Sequence, residues 1–285
     1  MASELAAVFL KRGWLLAVLC CLSGCSSLTS VFFYPQQVWI QTPADVGLVY
    51  EDVALQAQDG TRLHAWWLPA QQDGDWVVLY LHGNAENISS HFRSIDWLPA
   101  EGVSVLALDY RGFGASEGRP MLPAVFMDIE AAAMWLRQRH PDKKLAVLGQ
   151  SIGAALAVPF VSKAQQRYQI DALFLEAPLA SYSQVARHAL SQSWIGYLIW
   201  PATWLLPSDW DPIDHANGIR VPTMIMHSTD DDIIPYQHGR RVYDALENVK
   251  ACWHDSQGGH IASYVVPNLR RKTLWFLREG RCLNN

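Results

Sequence analysis

The chain has 285 residues, half of them hydrophobic and only 17% charged. This excludes a disordered chain, which could not bury enough apolar surface to offset its ordering entropy, and a coiled coil, whose helices are rich in Glu, Lys and Arg. The formal net charge of −5 offers no basic field for a phosphate backbone, so nucleic acid is not an expected partner, while the 13 Trp point to large apolar pockets or a membrane-facing surface.

In chain order, the first pattern is a targeting segment. Lys11 and Arg12 precede a short apolar run from Trp14 to Leu22. A basic stretch before a short apolar one reads as a secretory signal, and the run is far short of the roughly 20 residues of a membrane span. The alternative is an N-terminal anchor that stays attached. Leu22-Ser23-Gly24-Cys25 resembles a bacterial lipobox. The resemblance implies a signal peptide over 1–24, cleavage before Cys25, acylation of its thiol and a lipid-anchored envelope protein, with Ser26 favouring the outer membrane. A polar and aromatic tether, 25–41, would then lead into a domain over 42–285. With Cys20 and Cys21 lost and Cys25 lipidated, Cys252 and Cys282 remain. They form a disulfide, which an oxidising compartment permits, or stay as two thiols. A disulfide is geometrically possible if Cys252 starts its strand and the last helix runs back towards that edge.

Val49–Gln56 and Arg62–Trp67 flank Gln58-Asp59-Gly60, a hairpin signal. Short apolar strand runs follow at Trp76–Leu81, Val103–Leu108, Leu145–Leu148, Ala172–Leu175, Thr223–Met226 and Ala251–Trp253. Helical patterns cover about Val125–Arg139, a stretch from Ala154, Tyr236–Leu246 and Ile261–Arg278. Apolar strands alternating with helices predict an α/β fold with a mostly parallel, doubly wound sheet. The Trp-, Leu-, Ile- and Pro-rich segment 181–218 breaks this rhythm and reads as a helical cap insertion.

Gly149-Gln150-Ser151-Ile152-Gly153 lies between a strand run and a helix. That context suits a Ser held on a sharp turn with its Oγ exposed above the sheet, flanked by small residues. A hydroxyl needs an adjacent base to act as a nucleophile, and the chain order on this architecture is Ser, acid, His. Asp230, Asp231 and Asp232 follow one strand run and His260 follows the next. All three loops therefore reach the same rim. Composition does not choose among the three Asp. Two backbone N–H groups are needed for an oxyanion hole: Ile152, after the nucleophile, and Asn84, in the His82-Gly83-Asn84 loop after the third strand run. Arg111 reads as a structural loop ion pair. His188, His215 and His254 lack metal-ligand spacing.

Leu81–Ile88, Asp109–Gly118, Gly149–Gly153, the loop through Pro235 and Gly259-His260 together resemble the α/β-hydrolase superfamily, and within it the Bem46-like group near the S33-type hydrolases. The resemblance spans about residues 50–278. In that group the acid loop reads His-Gly-x-x-Asp-x-x-Val/Ile-Pro. Laid on His227 and Pro235 it puts the acid at Asp231, with Ser228 in place of Gly. It implies acyl-transfer hydrolysis by Ser151, Asp231 and His260, without metal or cofactor. The expected substrate is a carboxylic ester or thioester, lipid esters included, under an apolar cap. A serine aminopeptidase or amidase with the same triad is the first alternative, and a non-catalytic envelope binding protein the second.

Overall fold

The computed structural model describes residues 29–247 and 250–283. The expected signal peptide, Cys25 and the start of the expected tether lie outside the described residues. Eight strands form one sheet: β1 (Glu51–Gln56), β2 (Arg62–Leu68), β3 (Trp76–Leu81), β4 (Val103–Asp109), β5 (Lys144–Gln150), β6 (Ile170–Glu176), β7 (Thr223–Ser228) and β8 (Ala251–Ser256). Their order is β1-β2-β4-β3-β5-β6-β7-β8. β1 pairs antiparallel with β2 and β2 with β4; every other pairing is parallel. This is the predicted α/β-hydrolase architecture.

The sheet is parallel and doubly covered because its strands are apolar on both sides. In β3, Val77, Leu79 and Leu81 face one core while Val78 and Tyr80 face the other, as the two-residue strand period requires. The described α-helices are α1 (Ile88–His91), α2 (Val125–Arg139), α3 (Ile152–Ala164), α4 (Tyr182–Ser191), α5 (Trp194–Ile199), α6 (Pro212–His215), α7 (Tyr236–Asp244) and α8 (Pro267–Glu279). α2, α3 and α7 cover the first face through residues such as Ile129, Leu156 and Val242. α1 and α8 cover the second through Ile88, Leu269 and Phe276.

The structure differs from the sequence expectation in three places. The last helix begins at Pro267, not Ile261, because 263–265 form a 3-10 turn and Pro suits the first helical position. The stretch between β3 and β4, unassigned from sequence, holds α1 and short 3-10 turns. The expected tether is, from Thr29 on, a strap packed on the domain: Phe33 is buried, Asn87 Nδ2 donates to the carbonyls of Gln36 and Val38 (2.9 Å each), and Ile40 N–H donates to Ser89 Oγ (2.8 Å). Its polar and aromatic composition did not reveal these partners, which lie some 50 residues away.

Cys252, near the start of β8, is joined to Cys282 beyond α8 by a disulfide. The last helix therefore returns from the rim at the C-terminal ends of the parallel strands to the opposite edge of the sheet. Among the described residues no helix is long and apolar enough to cross a membrane.

Candidate active site

The turn between β5 and α3 is built from close approach. Ser151 has φ 54° and ψ −117°, a conformation costly for a side-chain-bearing residue. A Cβ on Gly149 would stand 2.5 Å from the Gly153 carbonyl oxygen, and one on Gly153 would stand 2.1 Å from that of Leu81. Only glycine at both positions lets helix α3 meet the ends of β3 and β5, which accounts for the G-x-S-x-G spacing. Ser151 N–H donates to the Glu176 carbonyl (2.9 Å), fixing the turn to β6.

The three predicted side chains meet at this rim. His260 Nε2 is 2.8 Å from Ser151 Oγ and His260 Nδ1 is 2.7 Å from Asp231 Oδ2. Asp231 Oδ1 accepts the N–H groups of Ile233 (3.0 Å) and Ile234 (2.9 Å). Its neighbours Asp230 and Asp232 are exposed. His227 Nε2 lies 2.9 Å from the Ile234 carbonyl and 3.4 Å from Asp231 Oδ2. Burial pushes the Asp231 carboxyl upward, but contacts with His227 and His260 and the backbone donors outweigh it. The group is held well below the usual carboxylate range, so it is charged at neutral pH.

Asn84 and Ile152 border the same rim. Among the described residues, neither backbone N–H has a hydrogen-bond acceptor, which leaves both free for an incoming anion. The Asn84 side chain serves the loop: its Oδ1 accepts Ala85 N–H (2.8 Å) and Tyr34 N–H of the strap (2.9 Å). Ala85 and Glu86 both have positive φ, and Gln36 N–H donates to the Glu86 carbonyl (3.1 Å). The strap thus braces a loop whose backbone is otherwise strained. A Cβ on Gly83 would meet the His91 ring at 3.0 Å.

One cluster escaped sequence reasoning. Glu176, fully buried at the end of β6, accepts Ser263 N–H on Oε1 (2.6 Å) and Gln150 Nε2 on Oε2 (2.5 Å). Gln150 Oε1 in turn accepts from Tyr80 OH and from Ser94 Oγ (2.8 Å). Ser263 Oγ bonds Ser256 Oγ (2.8 Å). Burial raises the Glu176 carboxyl, and the bonds from Gln150 and Ser263 oppose it. This acid ties the residue before Ser151 to the loop that carries His260. The available signal was a Gln and a Glu closing two otherwise apolar strand runs.

The cap is fastened at its ends. Tyr182 N–H donates to Asp211 Oδ1 (2.8 Å) and Ala180 N–H to His238 Nδ1 (3.1 Å). In between, Trp194, Leu198, Trp204 and Leu205 are 69–75% exposed. Arg111 forms the expected structural ion pair, with Asp128 (2.6 Å) and Asp59 (2.7 Å).

Comparison with known proteins agrees with this architecture. Residues 72–213 match the family model described as serine aminopeptidase, S33. The chain is 32% identical over 253 residues to YfhR of Salmonella typhi, covering 82% of each chain. It is 28% identical over 267 residues to the lysophosphatidylserine lipase ABHD12 of Danio rerio, covering 81% of this chain and 66% of that one. Among solved structures, the Pyrococcus furiosus esterase Pf2001 superposes with a TM-score of 0.71 at 22% identity, over 87% of this chain and 97% of that one.

Proposed function

Since the chain belongs to the α/β-hydrolase superfamily and is a hydrolase by fold and kinship, we propose that it is a serine hydrolase of the Bem46-like group that cleaves carboxylic esters or thioesters, lipid esters among them. Ser151 Oγ attacks the carbonyl carbon while its proton passes to His260 Nε2. The negative charge on the carbonyl oxygen is held by the backbone N–H groups of Asn84 and Ile152. His260 then gives the proton to the leaving alcohol or thiol, and water, deprotonated by the same imidazole, releases the acid from Ser151. Asp231, ionised at neutral pH, fixes the imidazole's orientation and stabilises its cation. The scheme uses no metal and no cofactor.

The observation that carries this reading is the unbroken hydrogen-bond relay from Asp231 through His260 to Ser151, at 2.7 and 2.8 Å. The matching family model is described as an aminopeptidase, which makes peptide substrates the rival. Residues 181–204 contain no Asp or Glu, so that part of the cap has no carboxylate to pair with a free α-amine. This favours esters. A fluorophosphonate probe should label the protein and fail to label Ser151→Ala; labelling that survives the substitution refutes the nucleophile. p-Nitrophenyl esters of rising chain length and aminoacyl p-nitroanilides, compared on one sample, decide the substrate class. Turnover of the anilides alone would overturn the ester reading.

The same reading puts the protein in the bacterial envelope, anchored through acyl chains on Cys25. Leu22-Ser23-Gly24-Cys25 supports it, and so does the Cys252–Cys282 disulfide, which fits an oxidising compartment. Labelled palmitate should enter the protein and not Cys25→Ala.

A further inference from the structure

The large exposed apolar side chains are not scattered. Among the described residues all but Val49 and Met134 come from four segments: the strap 31–40, the cap 194–205, the acid loop at Ile233 and the turn at Val265 and Val266 after His260. The last three segments all follow the C-terminal ends of β6, β7 and β8, and the strap runs along the Asn84 loop after β3. Solvent-facing surfaces normally carry such residues singly, and a contiguous apolar surface marks a binding face.

We infer that this rim is a membrane-docking face, on which the cap and the strap rest in the interfacial layer of a lipid bilayer with Ser151 beneath them. Three observations favour a bilayer. The exposed Trp194 and Trp204 have the side chain best suited to the boundary between apolar and wet surroundings. Residues 181–206 carry no acidic group, and Arg187 is their cation, so an anionic surface meets no repulsion at the cap; the exposed carboxylates Asp230 and Asp232 lie beside Ile233 on this rim. The chain also enters from this side: Phe32 packs on Tyr182, the first residue of α4, with ring centroids 5.0 Å apart. Cys25 precedes Thr29 by four residues, at most about 14 Å of extended chain. Acyl chains on Cys25 would hold the bilayer against the rim and away from the Cys252–Cys282 edge. Docking would then present membrane esters to Ser151, a consequence that rests on the ester-hydrolase reading; the contact itself does not.

The test uses the full lipidated chain on vesicles of phosphatidylethanolamine and phosphatidylglycerol with brominated acyl chains. Bromine should quench the tryptophan fluorescence, and Trp194→Phe/Trp204→Phe should lose at least half of the quenching. Quenching that the double variant leaves unchanged overturns docking. So does a soluble dimer, seen by light scattering without lipid, that Trp194→Glu/Leu198→Glu splits into monomers, since a second copy would then cover the face. In turnover, Leu198→Glu/Trp204→Glu should lower hydrolysis of a long-chain ester embedded in vesicles at least tenfold while keeping p-nitrophenyl acetate within twofold. Equal loss on both substrates overturns docking. If the wild type hydrolyses neither ester, the ester reading fails, and the quenching result still decides the contact.

Discussion

Beneath Ser151 the structure is polar, buried and cross-tied: Glu176 accepts from both Gln150 and Ser263, joining three chain segments, and Asp231 takes donors from two backbone groups besides His260. The cap is apolar, exposed and held mainly at its ends, by Asp211 and His238. On the serine-hydrolase reading the two regions divide the labour. A preorganised floor keeps donors and acceptors where charge develops, at no cost in reorganisation during the reaction, whereas a loosely attached apolar cover can meet different surfaces and substrates. Changes to the floor should therefore act on turnover, and changes to the cap on presentation.

The largest test of that division is Asp231→Asn. It should cut kcat by about 10⁴, while Asp230→Asn and Asp232→Asn stay within severalfold of wild type in the same ester assay. Similar losses at all three positions would mean that the loop acts as a diffuse acidic field. Next comes the far edge of the sheet. Replacing Cys252 and Cys282 by Ser opens a closure of 30 residues and should cost about 3–4 kcal/mol by the loop-entropy relation, read from denaturant melts. Specific activity at 25 °C should be kept, since the bond lies opposite the rim.

Glu176→Gln is a smaller and more discriminating change. Both carboxylate oxygens accept hydrogen bonds, so an amide must turn a donor towards either Ser263 N–H or Gln150 Nε2. An unsatisfied buried pair costs about 1–3 kcal/mol, so kcat should fall roughly 10- to 100-fold with KM little changed, and Glu176→Asp should restore part of it. An equal change in KM would place the effect in the binding surface instead.

The mildest probe is pH. His238, fastening the cap, and His254 are both held down at about 4, first by burial and then by Arg241 and Lys272 respectively. Their unfolded value is about 6.5, so each favours folding while neutral. That contribution is full above pH 6.5 and is lost as pH falls towards 4. Tm should drop across this window, with a shallower slope in His238→Gln.

Much of the floor was legible because its determinants are local. A Gly-bounded Ser between a strand and a helix, an acid after one strand and a His after the next are short-range patterns, and the sheet follows from alternating apolar runs. Asp231 was chosen over its neighbours only through the spacing from His227 to Pro235, and the structure gives the reason: only Asp231 receives the N–H groups of Ile233 and Ile234 together with His260. The Glu176 cluster was not legible. Glu176 and Ser263 lie 87 residues apart in the chain, and single polar residues at strand ends have many ordinary explanations. The strap was misjudged for the same reason, since its bonds to Asn84, Asn87 and Ser89 exist only once the domain has folded.

That strap sets a practical limit on trimming the protein. Cutting the chain at residue 42 to shed the proposed anchor would also remove Tyr34 and Gln36, which hold the Asn84 side chain and the Glu86 carbonyl. Such a shortened protein keeps all eight strands and the relay, yet loses the clamp on the Asn84 loop, which carries one of the two amides proposed to hold the oxyanion. It should purify as a well-folded but sluggish catalyst, and kinetics measured on it would understate the intact molecule.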